Sequence, residues 1–194
     1  MTTQEKNGIT EGVIWKQLLI FFFPILVGSF FQQLYNTVDS VIVGQFVGKE
    51  ALSSVGGSAG QIISLVVGFF TGVSTGATVI ISQYFGAGKK EEIEESLHTA
   101  YAFALVGGLV LGIAGIVFAP QMLRWMNTPE ELIAESVLYV RVYFSGLIFI
   151  FIYNMGAAIL RAVGDSKRPL YYLIVCSVVN IILDLLLILV IPLG

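Results

Sequence analysis

Residues 29–48 read SFFQQLYNTVDSVIVGQFVG, and inside this apolar run sits an aspartate, Asp39. No other formal charge lies between Lys16 and Lys49. Polar residues at 29, 32, 33, 36, 39 and 40 follow the spacing of one helical face. Ser29, Gln33, Asn36 and Asp39 therefore form a stripe on a helix whose remaining surface is apolar. That pattern inverts the soluble amphipathic helix: the apolar side faces lipid and the polar side faces a bundle interior or a wet cavity.

Composition fixes the solvent. Of the 194 residues 56% are hydrophobic and only 12% are charged, about half the usual soluble share. The mean hydropathy is +0.88. Runs long enough to cross a bilayer, about 20 residues each, recur along the chain. The continuous apolar character excludes a barrel, which alternates with period two, and a lipid-exposed span must satisfy its own backbone hydrogen bonds. The sequence predicts an all-α integral membrane protein.

Five membrane helices are expected, at about 14–46, 52–85, 96–125, 131–163 and 170–190, after a tail over 1–13. GAGKKEEIEE, NTPEE and GDSKRP separate them as hydrophilic breaks. Thr128 is expected to cap the helix that Pro129 opens. Glycines at 68, 72 and 76, and at 108, 112 and 115, have the spacing that lets membrane helices approach closely. Lys6, Lys16, Lys89, Lys90, Arg161, Lys167 and Arg168 fall on one side, against Lys49 and Arg124 on the other. This bias predicts a cytoplasmic N-terminus and a multi-pass protein of the plasma or inner membrane. Arg141 lies inside the fourth segment, where its long stem is expected to snorkel.

The fifth segment repeats the device of the first. In CSVVNIILDLLLILV, Ser177, Asn180 and Asp184 share a face. A charged aspartate at the centre of a membrane helix costs about 2.5–3.5 kcal/mol on insertion scales, so two of them imply a shared aqueous or ion-binding pocket. Such a pair holds a proton, or a small cation that neutralises both charges. Tyr139 and Tyr143, at i and i+4 in the fourth segment, could donate to a carboxylate. The single cysteine, Cys176, and single histidine, His98, provide neither a disulfide nor a zinc cluster. The net charge of −3 and the absence of a basic patch exclude nucleic acid as a partner.

Four blocks in order, QQLYNTVDSVIVG, GVSTGATVIISQYFGAGK, ILRAVGDSKRPL and NIILDLLL, resemble the N-terminal lobe of multidrug and toxic compound extrusion (MATE) transporters. The resemblance implies a six-helix lobe, of which five helices are present, within a twelve-helix, two-lobe antiporter working by alternating access. It implies export of amphipathic, often cationic, organic compounds against a proton or sodium gradient, with no cofactor and no enzymatic activity. It places Asp39, Asn180, Asp184 and Tyr139 in a cation-coupling site, with sodium a candidate ligand of Asp39, Asn180 and Asp184. Gln33, Asn36 and Ser177 are expected to line the cavity. Pro24 corresponds to a proline at which the first helix bends. The sixth helix and the second lobe are missing, so the chain is expected to be a fragment or a truncated product. Two other functions are weighed: a lipid or oligosaccharide flippase of the same superfamily, and an intramembrane aspartyl protease using Asp39 and Asp184. A flippase would need basic residues in its cavity, and neither aspartate carries the glycine-flanked motif of such proteases.

Overall fold

The computed structural model describes residues 13–42, 44–45 and 49–189. The expected tail over 1–13 and the end of the first segment fall largely outside them. Seven helices follow one another: α1 (Ile14–Ile42), α2 (Lys49–Gly56), α3 (Ser58–Gly86), α4 (Lys90–Trp125), α5 (Glu130–Ser145), α6 (Leu147–Ala162) and α7 (Lys167–Leu189). Among the described residues, α1, the run Ser53–Gly86 and α4 are each long and apolar enough to cross a membrane. The pair α5–α6, bent by 49°, is long and apolar enough only when its two helices are taken together. α7, at 23 residues, is about 35 Å long, comparable with the hydrocarbon thickness of about 30 Å.

The polar breaks of the sequence end helices in one shared way. At Gly88 (φ 71°), Asn127 (φ 53°) and Gly164 (φ 90°) the chain turns left-handed. The following N–H then bonds back into the helix: Lys89 to Tyr84 O, Thr128 to Leu123 O and Asp165 to Leu160 O, at 2.9–3.1 Å. Asp165 also starts α7, its Oδ1 accepting from the N–H groups of Lys167 and Arg168 at 3.1 Å.

Several boundaries differ from the sequence reading. The second apolar segment is two helices, broken at Gly57, where a side chain would stand 2.6 Å from Ser53 O. The fourth is also two, bent at Gly146. The run KEEIEE belongs to α4, which at 36 residues projects well beyond the bilayer. Thr128 does not cap α5: Pro129 occupies the N-cap and the buried Thr128 Oγ1 has no partner. Arg141 is not merely snorkelling, since its Nε donates to Ile116 O of α4 at 3.2 Å.

The core lies among α3, α4, α5 and α6. Phe70 of α3 stacks on Phe151 of α6 with centroids 3.3 Å apart. Gly108, Gly112 and Gly115 form the face of α4 on which the α5–α6 bend rests, Gly108 against the backbone of Ile148 and Gly115 beneath the Phe144 ring. By contrast, Gly68, Gly72 and Gly76 of α3 have no neighbouring atom within 4 Å of an added Cβ. The spacing is the same in both rows, but only the α4 row is close-packed within this chain. Large apolar side chains such as Phe30, Leu65, Val106 and Phe149 point outward, as a lipid-facing surface requires.

α1 stands apart from this core, and its main neighbour is α7. A Cβ on Gly28 would lie 3.5 Å from Leu173 and 3.6 Å from Leu170. The two helices run parallel, because Asp39, eleven residues beyond Gly28, lies within electrostatic reach of Asp184, eleven beyond Leu173.

Candidate cation-coupling site

The candidate site draws on the α1–α7 pair and on α5, whose Tyr139 lies within electrostatic reach of Asp39. Asp39 is half-buried on α1, and its charge acts on both Asp184 of α7 and Tyr139 of α5. Asn180 lies one turn from Asp184 on the same face of α7. Four sequence-predicted residues from three helices are thereby brought to one region of the bundle.

Two acceptors in this region stand unpaired. Asn180 Oδ1 and Asp184 Oδ2 are buried and make no hydrogen bond. Leaving a buried polar atom unsatisfied costs about 1–3 kcal/mol, more for a charged one, so such atoms in a native fold call for an explanation. Both are hard oxygen acceptors that a proton or a hard cation would satisfy. Among the described residues no group of three His, Cys, Asp or Glu side chains converges on a metal-ion site. The donor set instead suits a singly charged ion shared by two carboxylates and an amide oxygen.

The other predicted residues are placed differently. Ser177 is buried, but its hydroxyl donates to Leu173 O of its own helix at 2.8 Å. Gln33 and Asn36 are exposed on α1, and their backbone carbonyls accept from Thr37 and Ser40 at 2.8 Å. Pro24 is buried inside α1 and removes the N–H that would bond Ile20 O. Tyr139 and Tyr143 stack obliquely along α5, centroids 6.4 Å apart.

Sequence reasoning missed Tyr35. It lies within electrostatic reach of Tyr143 and of Tyr153 on α6, extending the polar seam away from Asp39. Its position one turn before Asp39 on the same face was the available signal.

A bundle of this length and apolarity is a multi-pass membrane protein. The MatE family model matches residues 24–186, and the chain belongs to the MATE family. It is similar to the probable multidrug resistance proteins YoeA and YpnP of Bacillus subtilis (strain 168). YoeA is 33% identical over 183 residues, which cover 94% of this chain and 39% of the relative. YpnP is 34% identical over 188 residues, 95% of this chain and 41% of the relative. An outward-facing multidrug resistance MATE family transporter of the MOP superfamily superimposes with a TM-score of 0.91 at 25% identity. It is matched over all of this chain and 43% of its own. The chain thus spans about two fifths of the length of the relatives it matches.

Proposed function

We propose that this chain is the cation-sensing N-terminal lobe of a secondary antiporter that exports amphipathic or cationic organic compounds. The observation that carries the reading is the placement of Asp39 within electrostatic reach of Asp184, on a helix face where Asn180 Oδ1 and Asp184 Oδ2 are unpaired. Relatives named as multidrug resistance proteins supply the substrate class. The coupling ion is a proton or a sodium ion, no cofactor takes part, and no bond of the transported compound is broken. The protein sits in the plasma or inner membrane with its N-terminus cytoplasmic.

The mechanism follows from differential affinity. A ligand shifts a conformational equilibrium only if it binds the two states unequally. A charged Asp39–Asp184 pair needs water or a cation near it, whereas a neutralised pair tolerates a drier, contracted seam. Ion arrival therefore favours the state in which the cavity beside α1 is narrow, and the organic compound leaves. Pro24, one turn from Gly28 where α1 rests on α7, would be the point at which α1 bends.

The test is gradient-driven efflux of a fluorescent organic cation from vesicles containing the intact transporter. Asp39→Asn fixes the neutral form, so residual binding of the compound persists while efflux loses its response to an imposed proton or sodium gradient. Parent-rate, gradient-sensitive efflux by Asp39→Asn would remove Asp39 from the coupling role.

A further inference from the structure

The hydrogen bond from Arg141 joins two features that lie 25 residues apart in sequence. In α4, Ile116 O would ordinarily accept the N–H of residue 120, four positions on. Residue 120 is Pro120, inside the helix and without an N–H. The stranded carbonyl is the one to which Arg141 Nε donates, at 3.2 Å. Arg141 is exposed, and its surroundings on α4 and α5 (Ile113, Val117, Leu138 and Val142) are exposed apolar side chains. A guanidinium on a lipid-facing surface is expensive, and a lipid-facing carbonyl without a donor is expensive too. Each offsets the cost of the other.

The bond also sets a register. Phe144, three residues after Arg141 on the same face of α5, covers Gly115, the residue before Ile116. The Phe144 carbonyl stands 3.1 Å from where a Cβ of Gly112 would be. Arg141 and Phe144 thus hold α5 to α4 at two consecutive points. Tyr139 and Tyr143 ride on the same helix, and Tyr139 meets the field of Asp39. A slip of α5 along α4 carries Tyr139 away from the carboxylates.

We propose that Arg141 is a positioning residue: it supplies the donor that Pro120 withholds from Ile116 O, and by fixing α5 on α4 it sets Tyr139 against the Asp39–Asp184 pair. This rests on the reading of that pair as the cation site. Arg141 touches neither ion nor substrate. Its removal acts through α5.

The experiment is a double-mutant cycle on the intact transporter, read by thermal melting at increasing sodium or proton concentration. Melting temperature without added ion reports the helix contact, and the ion concentration giving half the melting rise reports the site. Arg141→Leu is expected to lower the melting temperature by about 2–4 °C. It is also expected to raise the half-saturating ion concentration by about three- to tenfold. In a Pro120→Ala background the substituted residue supplies the missing N–H, so Arg141→Leu should change neither quantity. Arg141→Gln keeps a donor atom where Nε stood and should restore both; it also serves if Arg141→Leu fails to fold. Equal losses from Arg141→Leu in the parent and in the Pro120→Ala background would overturn the bond's role. A lower melting temperature with unchanged ion dependence would make Arg141 a brace only and overturn the positioning claim. A parent protein whose melting ignores both ions sinks the cation-site reading itself, a result distinct from either.

Discussion

Replacing Gly115 by alanine tests the packing that carries the site. Alanine is favoured over glycine in a helix interior by about 1 kcal/mol, so without packing the change would stabilise α4. At this position the new methyl would stand 2.5 Å from Phe144 Cγ. That atom lies on the χ2 axis, so turning the ring cannot relieve the clash. Either χ1 changes, in a side chain only 3% exposed, or α5 moves away from α4. Overpacking of this kind costs about 1–3 kcal/mol, and here the upper end applies. Withdrawal of α5 would also stretch the bond from Arg141 to Ile116 O. The net effect is a loss of about 1–2 kcal/mol, or roughly 2–8 °C in melting temperature for a protein of this size. The assay is thermal melting in detergent, followed by loss of the monodisperse chromatographic peak. Gly115→Ala combined with Phe144→Ala, which removes the ring, should behave no worse than Phe144→Ala alone. A stable Gly115→Ala single variant, or a double variant whose losses simply add, would refute the account of the α4–α5 contact.

Three further outcomes are expected. Asn127 holds φ 53° at the end of α4, so Asn127→Gly should leave stability unchanged or raise it, while Asn127→Val should lower it by about 1–2 kcal/mol, read by the same melting assay. Lys89 Nζ lies 3.0 Å from Glu92 Oε1 at the exposed start of α4, where Lys89 holds the Glu92 carboxyl below its usual range. The contribution of Glu92 is present above the ordinary glutamate value of about 4.3 and is lost as pH falls through the lower folded value, so Lys89→Met should flatten the melting profile in that acid window. Cysteines introduced at the exposed Glu130 and Lys167 should react with an impermeant reagent from opposite faces of the membrane, Glu130 from outside.

The fold was legible wherever one residue type forces one solvent or one dihedral. Gly88, Asn127 and Gly164 sit inside polar breaks, and polarity and left-handed backbone there say the same thing. The breaks at Gly57 and Gly146 were hidden because only small uncharged residues (Ser53, Ser54, Gly56 and Ser58; Ser145) interrupt the apolar runs there, and hydropathy reports the medium, not the direction of the axis. Spacing alone could not separate the two glycine rows. Gly112 and Gly115 are recognised as contacts only once Phe144 is seen above them, while a Cβ added to Gly72 would meet nothing within 4 Å among the described residues. In the site, Asp39, Asn180 and Asp184 stood out because charge and amide are rare in such helices. Tyr35 and Arg141 did not, since phenols are common in membrane helices and the partner of Arg141 is created by a proline on another helix.

On the proposed reading, the placement of the acids would let a small ion act on a large bundle. Asp39 belongs to α1 and Asp184 to α7, helices that pack mainly on each other, whereas Tyr139 belongs to α5 on the core side. An ion held by the two acids alone would tighten the α1–α7 pair and leave its relation to the core unchanged. The phenol of Tyr139 makes the difference, because it places a core-side group in the field of Asp39. Neutralising the acids would then change the field at Tyr139 across the seam as well as relieve the repulsion within the pair. Gly28 against Leu170 and Leu173 gives α1 a close-packed support below the acids, and Pro24 lies one turn beyond it. Above that support α1 stays with α7; below it, the missing Pro24 N–H makes bending inexpensive. An ion bound as proposed would therefore change the seam at one end of α1, and the helix would answer at the other.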